Sequence, residues 1–216
     1  SRKVLEKIVR DDVSNEKFKF RDSRRMFVGG VPAIINRISF TGELGYEIYV
    51  APHYQLKLYE ELMEAGKEFN IKPFGGRALM SMRLEKNWGA WTLDYRPDFT
   101  AKETGLDAFI NWDKEFIGKE SAQKENSSNK LVPLIVETNE IDVTNNEAVL
   151  NGDQSIGYVT SGGFAHFVNK SVAFTFVDQK NIKSENKIQV EINGDLFNCS
   201  IIKEPLYDPS GQKMRS

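Results

Sequence analysis

The sequence predicts an α+β protein: an antiparallel sheet with helices over residues 1–125, followed by a small β-barrel or sandwich over residues 126–216. Two observations carry this. In the first part, short alternating strands stand beside segments of helical spacing, whereas in the second only short strands with turn punctuation remain. The boundary falls at Glu125-Asn-Ser-Ser-Asn-Lys130, the most linker-like stretch of the chain.

Each element follows from its residues. Val4, Leu5 and Ile8 lie at helical spacing behind Ser1, a possible cap. Arg25–Gly30 and Val31–Phe40 read as two strands joined at Gly29-Gly30, and a third strand follows around Glu47. Pro52 opens a helix over 53–69 whose apolar stripe is expected to be Leu56, Tyr59, Leu62, Met63 and Phe69. The next helix, about 75–86, is expected to turn Leu79, Met82 and Ala78 inward. Its Arg77 and Arg83 stand six positions apart, hence about 120° apart around the axis, so they cannot both be core. A short helix runs over 119–124. Beyond the boundary, strands are expected at 131–138, 148–150, 155–160, 171–177, 187–192 and 196–202. Asn151-Gly152-Asp153 and Asn193-Gly194-Asp195 supply hairpin turns that need positive φ.

Composition narrows the function classes. A net charge of −2 over 216 residues gives no basic footprint for nucleic acid, and no apolar run reaches the ~18 residues of a membrane span. The amino terminus, Ser-Arg-Lys-Val-Leu-Glu, lacks a signal-peptide core, so a cytoplasmic protein is expected. One cysteine, Cys199, reads as a small core residue, and two distant histidines, His53 and His166, have no metal-ligand spacing, so no metal is expected. His166 follows Gly162-Gly163-Phe164-Ala165 in a loop, where it either contacts a ligand or faces solvent.

The most informative stretch is Arg37-Ile-Ser-Phe-Thr-Gly-Glu-Leu-Gly-Tyr-Glu-Ile48. Gly42 and Gly45 allow a tight turn and close approach of a backbone or a flat ligand. Tyr46, Ile48 and Val50 then share one face of a strand, with Glu47 and Tyr49 on the other. On residues alone, Glu47 either points into water or lines a polar pocket.

This stretch resembles the TGE-x-G-x-E signature of the folate-binding aminomethyltransferase (glycine cleavage T-protein) superfamily. Further elements resemble that family in order: Arg83-Leu84-Glu85, Thr100-Ala-Lys-Glu-Thr-Gly-Leu106, Phe116-Ile-Gly-Lys119, Ile156-Gly-Tyr-Val-Thr-Ser-Gly162 and Glu204-Pro-Leu-Tyr-Asp-Pro209. The stretch Gly76-Arg-Ala-Leu-Met-Ser-Met-Arg-Leu-Glu-Lys86 is most similar to the carboxy-terminal folate domain of dimethylglycine and sarcosine dehydrogenases.

The resemblance implies tetrahydrofolate as cofactor, with one-carbon transfer in glycine cleavage or methylamine catabolism. Glu47 stands at the family's pterin-binding glutamate, where a carboxylate accepts two parallel N–H donors. Phe40 takes the position of the family's aromatic partner and lacks its hydroxyl. Trp88 is placed as the other wall of a ring slot, and Arg77 as partner of the folate tail or carbonyl; core packing is the competing reading for both aromatics. The implied partners are a methylated amine or other one-carbon donor, and a flavin dehydrogenase domain that would oxidise it. By the same resemblance the family's catalytic aspartate belongs before Ser1, so the catalytic residue is unknown here and a missing amino-terminal segment is expected. Asp94 and Asp98 are the acidic alternatives, read as solvated loop residues. A non-catalytic folate-binding or interaction module, truncated or split, is the alternative function.

Overall fold

The computed structural model describes residues 1–138, 140–182 and 187–216, which divide into two compact units. The first comprises Ser1–Lys86 with Asp208–Ser216, the second Asn87–Tyr207.

In the first unit, helix α1 (Arg2–Ile8) precedes an antiparallel sheet of β1 (Ser23–Val28), β2 (Val31–Asn36) and β3 (Glu47–Tyr49), in the order β1-β2-β3. Gly29 and Gly30 make the hairpin, both at positive φ. Alternation places Met26, Val28, Ala33 and Ile35 on the buried face, against Leu5, Phe18 and Leu58. Helix α2 (Gln55–Gly66) is flanked by 3₁₀ turns at Pro52–Tyr54 and Lys67–Phe69. Its inward face differs from the expected stripe. Leu58 and Gly66 are buried and Leu62 packs on the core, whereas Leu56 and Tyr59 are 69% and 52% exposed. The spacing of four selects this face, and Gly66 lets the helix end on Ile71, whose Cγ2 would stand 2.4 Å from an added Cβ.

Helix α3 (Gly76–Glu85) buries Ser81, Arg83, Leu84 and Glu85, so its core side lies near its carboxyl end. Ala78 is exposed, and Leu79 and Met82 are half-buried, unlike the expected inward trio. At the chain end, α5 (Gln212–Arg215) is tied to the sheet by Arg37. This fully buried guanidinium donates to the carbonyls of Phe18, Arg215 and Ser216 and to Asn15 Oδ1. Burial pulls its pKa below the usual arginine range.

The second unit is built on a closed barrel. Strands β4 (Asn129–Val136), β5 (Ala148–Asn151), β6 (Gln154–Ala165), β7 (Lys170–Asp178), β8 (Ile188–Ile192) and β9 (Asp195–Ile201) close in the order β4-β7-β6-β5-β8-β9, which leaves no free edge. All six expected strands are present, β6 extending five residues further than expected. Val132, Leu134 and Val136 alternate inward on β4. Gly152, Asn193 and Gly194 take the positive φ their hairpins require.

The two compact units divide between Lys86 and Asn87. Helix α4 (Lys119–Lys124) lies in the segment before the barrel, and Glu103 joins that segment to the barrel: Leu131 N–H donates to the Glu103 carbonyl at 2.8 Å, and Ser127 Oγ donates to the Glu103 carboxylate. Phe99 stacks on Phe176 at 3.9 Å, and Arg96 donates to the Tyr158 hydroxyl. The linker-like stretch is therefore pinned through side chains that composition does not reveal.

Candidate functional site

Glu47 opens β3 on the face of the sheet turned away from the core. The opposite face of the same strand, Tyr46, Ile48 and Val50, packs on the core as alternation requires. The Tyr49 hydroxyl, two residues on, donates to Glu47 Oε2. Glu47 is cross-strand partner of Asn36, whose Oδ1 accepts a 2.7 Å bond from Ser23 Oγ on β1. A polar row thus crosses the three strands. Next to it the same face is apolar, with Phe27 65%, Ile34 40% and Tyr49 53% exposed along a groove of about 570 Å³.

The β2–β3 loop sets the approach to this strand. Ser39 Oγ accepts from Gly42 N–H at 3.0 Å, and Gly42 is buried at φ 84°. What closes on Gly42 is the stem of Lys86, whose Cδ would lie 2.8 Å from an added Cβ, rather than a ligand. Lys86 is itself buried and donates to both the carbonyl and Oδ2 of Asp208, the latter at 3.1 Å. Burial raises the pKa of Asp208, but bonds from Lys86 and from the N–H groups of Lys213 and Gln212 outweigh it and hold the carboxyl below its ordinary value. This anchor went unseen in the sequence because a lysine and an aspartate 122 positions apart carry no local signal.

The remaining sequence-assigned residues fall as follows. Phe40 is half-buried on the loop before β3, and Arg77 is exposed in the first turn of α3. Trp88 belongs to the second unit and is half-buried. The first unit therefore holds Glu47, Phe40 and Arg77, and joins Glu47 to Tyr49.

Of the acidic alternatives, Asp98 is exposed and paired with Arg96 at 2.9 Å. Asp94 is fully buried, contrary to expectation, accepting from the hydroxyls of Thr160 and Ser161 (2.7 Å to the latter) and from Ala90 N–H at 2.8 Å. It ties the turn at Ala90–Tyr95 to β6 and is structural. His166 is exposed, edge-on to Phe164. Cys199 is buried and its thiol is pushed up to about 12, chiefly by burial, which leaves it unreactive. Among the described residues no cluster of His, Cys, Asp and Glu is disposed to hold a metal ion, and no helix is long and apolar enough to cross a membrane.

A three-stranded sheet backed by helices, a carboxylate on its open face and a following six-stranded barrel define an α+β protein with a separate barrel unit. The family model described as the GCVT N-terminal domain matches residues 1–114, and that of the glycine cleavage T-protein C-terminal barrel domain matches 129–208. The chain belongs to the glycine cleavage T-protein, or aminomethyltransferase, family. It is 35% identical over 211 residues to mitochondrial dimethylglycine dehydrogenase of Homo sapiens, covering 95% of this chain and 24% of that protein. It is 33% identical to an aminomethyltransferase of Bacillus mycoides, covering 96% of this chain and 57% of that one. The crystal structure of the glycine cleavage system aminomethyltransferase T from Bartonella henselae superposes with a TM-score of 0.73 at 25% identity, over 82% of this chain and 50% of that one. The chain thus spans a quarter to somewhat over half the length of these relatives.

Proposed function

We propose that the chain is a tetrahydrofolate-binding module for one-carbon transfer, in glycine cleavage or in the catabolism of a methylated amine such as dimethylglycine or sarcosine. The observation that carries this is Glu47: a carboxylate within the TGE-x-G-x-E stretch, presented on the open face of the sheet and already held by a hydroxyl. A carboxylate offers about four lone-pair sites. Tyr49 uses one, leaving enough for the parallel amide and amine donors of a pterin edge, so the donor set fits the cofactor.

In this reading Glu47 orients the pterin, Phe40 offers a ring face beside it and Arg77 meets a tail carboxylate. Bound tetrahydrofolate supplies the nitrogen nucleophile that takes up the one-carbon unit. The donor is a methylated amine, or the product of its oxidation by a flavin dehydrogenase domain; the human relative is named a dimethylglycine dehydrogenase. A cytoplasmic location is part of the proposal.

Titration of tetrahydrofolate by calorimetry into the parent and Glu47→Gln proteins tests it. Loss of a bond to a charged group is expected to cost about 1.5–3 kcal/mol, and equal affinities refute the assignment.

A second reading, a module that binds folate without turning it over, is favoured by the acidic alternatives: Asp94 is buried and accepts from hydroxyls, and Asp98 is paired with Arg96. Turnover with formaldehyde or a methylamine donor separates the two. Background rates in a 216-residue chain that binds tetrahydrofolate support the binding module. Full activity of the chain alone refutes that second reading.

A further inference from the structure

Resting on the folate reading of Glu47, we infer that Tyr49 is a positioning residue for that carboxylate. Strand β3 is three residues long and lies at the sheet edge, so little else restrains a glutamate at its first position. An unrestrained Glu would surrender its rotamer freedom on binding, and restraint in advance removes that cost. Tyr49 is suited to this role. Residues i and i+2 of a strand share a face, and its phenol donates to Glu47 Oε2. The ring's position is set in turn by cross-strand pairing with Ile34.

On the other flank, Asn36 stands between two partners. Ser23 Oγ occupies its amide oxygen from the β1 side. Its register partner on β3 is Glu47. The bond from Tyr49 holds the carboxylate on the open face of the sheet. The hydrogen bond and charge of Glu47 raise the Tyr49 phenol above its ordinary value of 10.0, as expected for a donor held to an anion. Arg25, cross-strand partner of Ile34, also lies on this face.

The test has two arms. In the first, the Tyr49 hydroxyl is titrated by NMR of ring-labelled tyrosine, without folate. Its pKa is expected to fall toward the ordinary value in Glu47→Gln, and an unchanged titration overturns the pairing. In the second, 5-formyltetrahydrofolate is titrated into the parent, Tyr49→Phe, Glu47→Gln and the double variant. Tyr49→Phe keeps the ring and removes one hydrogen bond, so affinity is expected to fall roughly threefold to tenfold. In the Glu47→Gln background the same change is expected to have less than a twofold effect, a coupling that general loss of structure would not produce. Affinity of Tyr49→Phe within twofold of the parent, or an equal loss in both backgrounds, overturns the inference. Affinity indifferent to Glu47→Gln overturns the folate reading itself, and this inference with it.

Discussion

Removal of Asp94 tests how the turn before the barrel is held. In Asp94→Ala three donors lose their acceptor in a fully buried place: the hydroxyls of Thr160 and Ser161 and the N–H of Ala90. Thr160 has a substitute, since its hydroxyl also reaches the Phe174 carbonyl at 3.2 Å. Two donors are then orphaned, each costing about 1–3 kcal/mol, so the second unit is expected to lose about 2–6 kcal/mol. Asp94→Asn retains one acceptor oxygen and is expected to lose roughly half as much. All three tryptophans, Trp88, Trp91 and Trp112, lie in this unit, so their fluorescence during urea unfolding reports it selectively. At about 2 kcal/mol per M in urea, the midpoint is expected to fall by about 1–3 M in Asp94→Ala. A fall below about 0.5 M, with Asp94→Asn indistinguishable from the parent, refutes the structural role and returns Asp94 to the catalytic candidates.

Gly42→Ala meets both a positive φ and the stem of an anchored Lys86, and is expected to destabilise the first unit by about 1–3 kcal/mol; amide hydrogen exchange in β1 and β2 reads the effect. Asp208 has a folded pKa held below its unfolded value, so its contribution is present above pH ~4 and is lost as pH falls through the folded pKa. Acid destabilisation of the first unit, followed by the same exchange, is therefore expected to flatten in Lys86→Met. Cys199 is expected to react with Ellman's reagent at pH 8 only on unfolding, because its thiol is buried and titrates near 12; a stoichiometric native reaction within minutes refutes that burial.

By itself the sequence determined what depends on local pattern. Period-two alternation and Asn-Gly turns located every barrel strand, because strand faces and hairpin φ values are properties of a few adjacent residues. The same logic separated Glu47 and Tyr49 from Tyr46, Ile48 and Val50. Ordered motifs placed the chain in its family. Only the tertiary structure decided which helix faces are inward, since apolar residues ring α2 and burial selected Leu58 over Leu56 and Tyr59. It also decided the fate of the charged residues. Arg37, Lys86 and Asp94 look like surface groups in a sequence, and each is buried because acceptors or donors distant along the chain converge on it. The closure of the barrel has the same origin. The pairing of β4 with β9 joins residues more than sixty positions apart, a contact that no local periodicity encodes and that closure of the sheet imposes.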